Sequence, residues 1–168
     1  MPSNTITIST LIAGLGAGAI IDMRTRRVPN ELTGGLAAAG LLLAAFGVTG
    51  ITVASSFFGL LLGLALMMPG HILGATGAGD VKLFAAAGTI AGVGLMLPAF
   101  LYTALAGGVI GIVVAVRRRR LTQTIGRTAS LIASRGANAD EIESPRANNR
   151  FAYAPAIAIG VVLAVWRT

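Results

Sequence analysis

Cysteine is absent from this 168-residue chain, and histidine occurs once, as His71. That excludes a disulfide framework, a CxxC zinc site and a Cys/His metal cluster. Charge is scarce as well. Only 11% of residues are charged, where a soluble domain carries about a quarter. Carboxylates are fewest: six Asp and Glu stand against thirteen Lys and Arg, a net charge of +7. The basic residues flank apolar runs and are not interleaved with aromatics, so they read as membrane topology signals, not a nucleic-acid surface. The opening residues MPSNTITIST lack the basic stretch of a cleavable signal peptide. The first apolar run is therefore expected to stay in the chain as a helix.

What is present is apolar. Hydrophobic residues make up 55% of the chain, more than a core this small could hide from water. Long apolar runs recur down the whole length, which predicts an all-α polytopic membrane protein. A first run spans 5–21 and ends at Asp22. The stretch DMRTRRVPNE follows as a loop, since Pro29 disfavours helix just before it. Apolar sequence from Leu32 to Met68 is too long for one crossing of a hydrocarbon core about 30 Å thick. It is expected to break at Gly47-Val48-Thr49-Gly50. Pro69-Gly70 is read as the end of the third helix, before the glycine-rich loop HILGATGAG. The run from Asp80 to Val116 splits by the same length argument, most simply around Pro98. A short last run, 151–166, brings the count to six transmembrane helices in one domain, 1–168, with a basic loop over 117–150.

Charge supports that count. With both termini outside, on the periplasmic side, the 22–30, 70–80 and 117–150 loops share one side. Every basic residue except Arg167 lies in or beside them, which marks that side as cytoplasmic. The spacings Gly14/Gly18, Gly59/Gly63, Gly88/Gly92 and Gly107/Gly111 suit close helix packing in lipid. Packing within the chain is the expectation, ahead of a dedicated dimer face.

Only three acidic residues lie in or beside the membrane-spanning half: Asp22, Glu31 and Asp80. Ionisable groups there are functional candidates. Asp22 closes the first helix and Asp80 opens the fourth, so both reach the cytoplasmic face. A pair of carboxylates is the minimum machinery of aspartic catalysis. One, ionised, takes a proton from water; the other, protonated, gives one to the scissile carbonyl. Gly77 and Gly79 are expected to allow unusual backbone and close approach of a substrate chain. From the dipoles of their own helices, Asp80 is expected to be the more acidic partner and Asp22 the proton carrier. Serine chemistry is disfavoured: no serine stands beside His71, and Ser55 and Ser56 fall near the face opposite Lys82. A proton-relay or transport subunit is the alternative, though a relay calls for a carboxylate at the midplane. Asp140, Glu141 and Glu143 form an acidic patch in the long loop, read as a solvated loop ahead of a docking site. Glu31 reads as a first-turn helix residue, His71 as incidental.

IIDMRTRRVPNELT and GATGAGDVKLFAAAG resemble the two signature regions of the type IV prepilin peptidases, bacterial membrane aspartic proteases of the GxGD type. The first is Asp22 at a helix end, a basic loop, then Val28, Pro29 and Asn30. The second is Gly77, Gly79, Asp80 and Lys82. FAYAPAIAIG resembles the family's last helix. The resemblance implies cleavage of leader peptides from prepilins and prepilin-like proteins in the bacterial inner membrane, at the cytoplasmic face. It implies Asp22 and Asp80 as the catalytic pair, Gly77, Gly79, Lys82, Pro29 and Asn30 as their support, and no metal or cofactor. Larger members add a cytoplasmic insertion with CxxC motifs and methylate the new N-terminus. This chain has neither, and looks like the short, peptidase-only form associated with tight-adherence (Flp) pili. It departs from the family at Ala75-Thr76, where a glycine/methionine pair is common; this bears on loop flexibility rather than chemistry.

Overall fold

The computed structural model describes residues 5–117 and 152–167. These form six α-helices: α1 Thr5–Thr25, α2 Asn30–Ala45, α3 Val53–Ile72, α4 Ala78–Ala91, α5 Val93–Arg117 and α6 Ala154–Trp166. The long basic loop and its acidic patch lie outside the described residues.

The helix ends follow local chemistry. α1 runs one turn past Asp22 and stops where Arg26 adopts φ 53°. Pro29, extended at φ −62° and ψ 142°, precedes α2, and Glu31 sits in its first turn as expected. The break between α2 and α3 falls on the expected Gly47–Gly50 segment, and the Thr52 side chain caps α3 by accepting from Ser55 N–H.

Two further boundaries move. Pro69 lies inside α3, which continues to Ile72. A proline removes only its own N–H, so residues after it still donate backwards; Leu73 N–H bonds the Pro69 carbonyl. The terminator is Gly74, at φ 70° in the left-handed region. The split of the 80–116 run falls at Gly92, φ 80°, and not at Pro98. Pro98 sits six residues into α5 and is absorbed there.

Helix length bears on the expectation of six crossings. α1, α3 and α5 are long and apolar enough to cross a membrane. α2, α4 and α6 have 16, 14 and 13 residues, about 20–24 Å at 1.5 Å per residue, against about 30 Å of hydrocarbon. The short helices pack against the long ones. α4 is the centre: it touches all five others, and most of its residues are buried. Every helix except α4 exposes large apolar side chains, such as Leu97, Leu101, Leu105 and Val109 along α5. Those faces suit lipid; on a water-soluble monomer they would form an untenable patch.

Most of the expected glycine spacings are used inside the chain. A Cβ on Gly59 would lie 2.2 Å from the Gly88 carbonyl oxygen, and one on Gly88 2.3 Å from that of Gly59. Gly14 makes room for Leu36, Gly18 for Leu83 and Gly63 for Ala85, whereas Gly111 faces open space.

Candidate active site

Asp80 sits in the first turn of α4 because Gly77 ends the preceding loop in an extended conformation, φ −75° and ψ 151°. The Asp80 carboxylate turns back and accepts the Gly77 N–H at 3.1 Å. This is one half of a capping box. Gly77 and Gly79 therefore act through space and not through unusual torsions: Gly77 has an ordinary φ, and Gly79 is helical. A Cβ on Gly79 would lie 3.1 Å from Val28 Cβ, and one on Gly77 would lie 3.1 Å from Asp80 Oδ2. The 26–29 loop is thus pressed onto the start of α4. One turn further, Lys82 Nζ donates to Asn30 Oδ1 at 2.9 Å. Pro29, Asn30, Gly79 and Lys82, picked out from two distant stretches, meet in a single strap.

Asp22 reaches the same end of the bundle. Gly18 lets the Leu83 methyls approach to 3.1 Å from where a Cβ would be. Asp22 lies one turn beyond Gly18 on α1, on the same face; Asp80 lies one turn before Leu83 on α4, on the same face. α1 and α4 run in opposite directions, so both aspartates are displaced from that contact towards the same end. They are 6% and 8% exposed.

Asp22 Oδ2 accepts the Ala154 N–H at 3.2 Å, and Arg26 and the Tyr153 backbone also act on it. Ala154 is the first residue of α6. Asp22 thus meets the positive end of α6 as well as the negative end of α1. Each aspartate sits at a helix N-terminus, and the dipole argument made from α1 alone does not separate them. The Tyr153 ring lies over Gly107 of α5, where a Cβ would stand 2.6 Å from Cε2. Tyr153 precedes α6, and burial together with the Asp80 carboxylate holds its phenol above its ordinary value.

Sequence reasoning missed three features. His71 Nδ1 lies 3.1 Å from the Thr76 carbonyl oxygen, to which it donates, and Thr76 packs on Gly70. The departure at Ala75-Thr76 therefore sits in a loop tied at both ends. Tyr153 and Ala154 were marked only as part of FAYAPAIAIG, the stretch resembling the family's last helix, with no indication of what they touch. Ser55 and Ser56, as expected, lie at the far end of the bundle, beside Val93 and Thr89. Among the described residues, no three His, Asp or Glu side chains come together as a metal site would need.

Asp22 and Asp80 are thus two buried carboxylates, each accepting a backbone N–H at the start of a helix. The family model of the type IV leader peptidase family matches residues 9–112, and the chain belongs to that family. The match covers Asp22 and the whole GxGD stretch, but ends before α6. No curated protein and no solved structure matches the chain.

Proposed function

We propose that the protein is a membrane aspartic endopeptidase that removes leader peptides from prepilins and prepilin-like proteins. Asp22 and Asp80 form the catalytic pair. The ionised carboxylate takes a proton from water as the oxygen adds to the scissile carbonyl carbon. The protonated carboxyl gives its proton to the carbonyl oxygen, and collapse of the tetrahedral intermediate releases the new amine. Gly77 and Gly79, without side chains, leave room for the substrate chain to approach Asp80 closely. Lys82, Asn30 and Pro29 hold the 26–29 loop on α4. The site works at the cytoplasmic face of the bacterial inner membrane, in six helices with both termini outside. The chain acts as the short, Flp-associated form, without N-methyltransferase activity.

The observation that carries this reading is that two buried aspartates each lie one helical turn from the Gly18–Leu83 contact, on α1 and α4, in a chain of the leader peptidase family. The relay alternative is the weaker one. The three carboxylates among the described residues, Asp22, Glu31 and Asp80, all lie towards one end of the bundle, and a relay needs one at the midplane. The test is a cleavage assay with a Flp-type prepilin carrying a basic leader. The parent chain is expected to shorten the substrate. Asp22→Asn and Asp80→Asn, inserted normally, are each expected to lose at least about a hundredfold in rate, the usual scale for a lost general acid or base. Full cleavage by either variant would sink the pair.

A further inference from the structure

α1 and α2 follow one another in the chain but do not pack along their length. α2 leans onto α4, where Gly40 makes room for Thr89 and Ile90. It meets α1 at Leu36, which fills the space above Gly14, and at Leu32, whose Cδ2 would lie 3.5 Å from a Cβ on Gly18. Beside these contacts a groove of about 520 Å³ opens between the two helices. Its walls are small: Ala13 on one side, Gly35 and Ala39 on the other. Ala13 and Gly35 are exposed, so the groove opens outward, to lipid in a membrane. A Cβ on Gly35 would meet nothing within 4 Å. The bare backbone there leaves room that no described residue takes up. From Glu31 to Ala39 the wall is about 12 Å long, roughly two helical turns. Walls this small let another helix come close in lipid.

The two ends of the groove differ. Leu32 and Glu31 mark the end nearer the aspartates, since Leu32 touches Gly18, which stands one turn from Asp22. Glu31 is exposed there and has no hydrogen bond or salt bridge among the described residues. A carboxylate at one end of an apolar groove selects a helix with a cation at that end. It disfavours a lipid headgroup, whose phosphate it repels. Membrane helices carry Lys and Arg at their cytoplasmic ends, the side on which the proposed orientation puts Glu31.

We propose that this groove holds the membrane helix of the substrate. The first turns of the substrate's apolar segment lie against Ala13, Gly35 and Ala39, and a Lys or Arg ahead of that segment pairs with Glu31. The substrate then leaves the groove over Leu32, one turn of α1 from Asp22. This rests on the leader peptidase reading, and it adds a surface that holds the substrate apart from the residues that cut it.

The chain has no cysteine, so Ala39→Cys puts a single thiol in the groove. It is placed in the full chain together with Asp80→Asn, in membrane vesicles with a Flp-type prepilin. The prepilin carries one cysteine, moved stepwise through the first turns of its apolar segment. Oxidation is expected to cross-link positions that recur every third or fourth residue, the face of a docked helix. In the active chain, Gly35→Leu is expected to raise KM at least about fivefold with kcat nearly unchanged, as for binding shared by ground and transition states. Gly34→Leu lies outside the groove with nothing within 4 Å of its Cβ, and is expected to change neither. Glu31→Lys is expected to raise KM about two- to fivefold, and a prepilin with Glu in place of the last basic residue of its leader to restore it. Absence of the cross-link, or an unchanged KM in Gly35→Leu, overturns the proposal. So does cross-linking of Ala39→Cys to a second copy of this chain in place of the prepilin, which would make the groove a dimer face. A cross-link with no cleavage by the parent chain keeps the groove and removes the protease reading; cleavage with no cross-link does the reverse.

Discussion

At the scale of single residues, the site is held by few contacts, each of a different kind. Asp80 is tied to its own helix cap, Asp22 to the start of another helix, and Lys82 to Asn30 across fifty-two positions of sequence. The Lys82–Asn30 bond is exposed, so its direct contribution to stability is small, about 1 kcal/mol or less. Its larger effect is to hold the 26–29 loop beside Asp80. Lys82→Met and Asn30→Ala are each expected to slow cleavage several-fold, and the double variant to be no slower than the worse single one. A rate cycle over the four forms measures this; full additivity would show that the two residues act separately. The residue types of the strap could be read from the sequence, since the only lysine and a Pro-Asn pair stand out. Their pairing could not, because no local rule links positions 30 and 82.

At the scale of helices, packing is decided by absent side chains. α3 and α4 approach so closely at Gly59 and Gly88 that each backbone carbonyl occupies the other's Cβ space. Carbonyl oxygens cannot rotate away as side chains can, so the helices must separate to admit a methyl group. Gly59→Ala and Gly88→Ala are each expected to destabilise the bundle by about 1–3 kcal/mol or more. Gly111→Ala, with nothing nearby, is expected to stay within about 0.5 kcal/mol. Thermal unfolding in detergent separates these cases; equal effects at all three positions would refute the packing account. The sequence showed the glycine spacings but not their partners. It also misplaced two helix ends, because proline is the louder signal. Pro69 and Pro98 are accommodated in helices, and Gly74 and Gly92, in the left-handed region, are the real breaks.

For the whole molecule, the uneven placement of charge is the strongest global feature. Arg24, Arg26, Arg27 and Lys82 gather at the end that holds the two aspartates, and the 46–52 turn lies at the other. The proposed orientation puts the aspartate end in the cytoplasm. Because the chain has no cysteine, single thiols report on this without background. Arg27→Cys is expected to react with a membrane-impermeant reagent only from the cytoplasmic side, and Phe46→Cys only from the periplasmic side. Both residues are exposed. Labelling of both from one face would mean that α2 does not cross, which its 16 residues make a real question.

Sequence alone determined the class of this protein, since apolar runs and sparse charge leave lipid as the only solvent that fits. It also singled out Asp22 and Asp80 as the candidate carboxylates, because an acid beside an apolar run is costly enough to be rare. Tertiary structure decided the rest. The close contact of α1 with α4 depends on Gly18 receiving Leu83, and the setting of Asp22 depends on an N–H from Ala154, 132 positions away. Contacts of that range are fixed by the shape of the packed bundle, in which α4 is enclosed by five helices, and no periodicity along the chain encodes them.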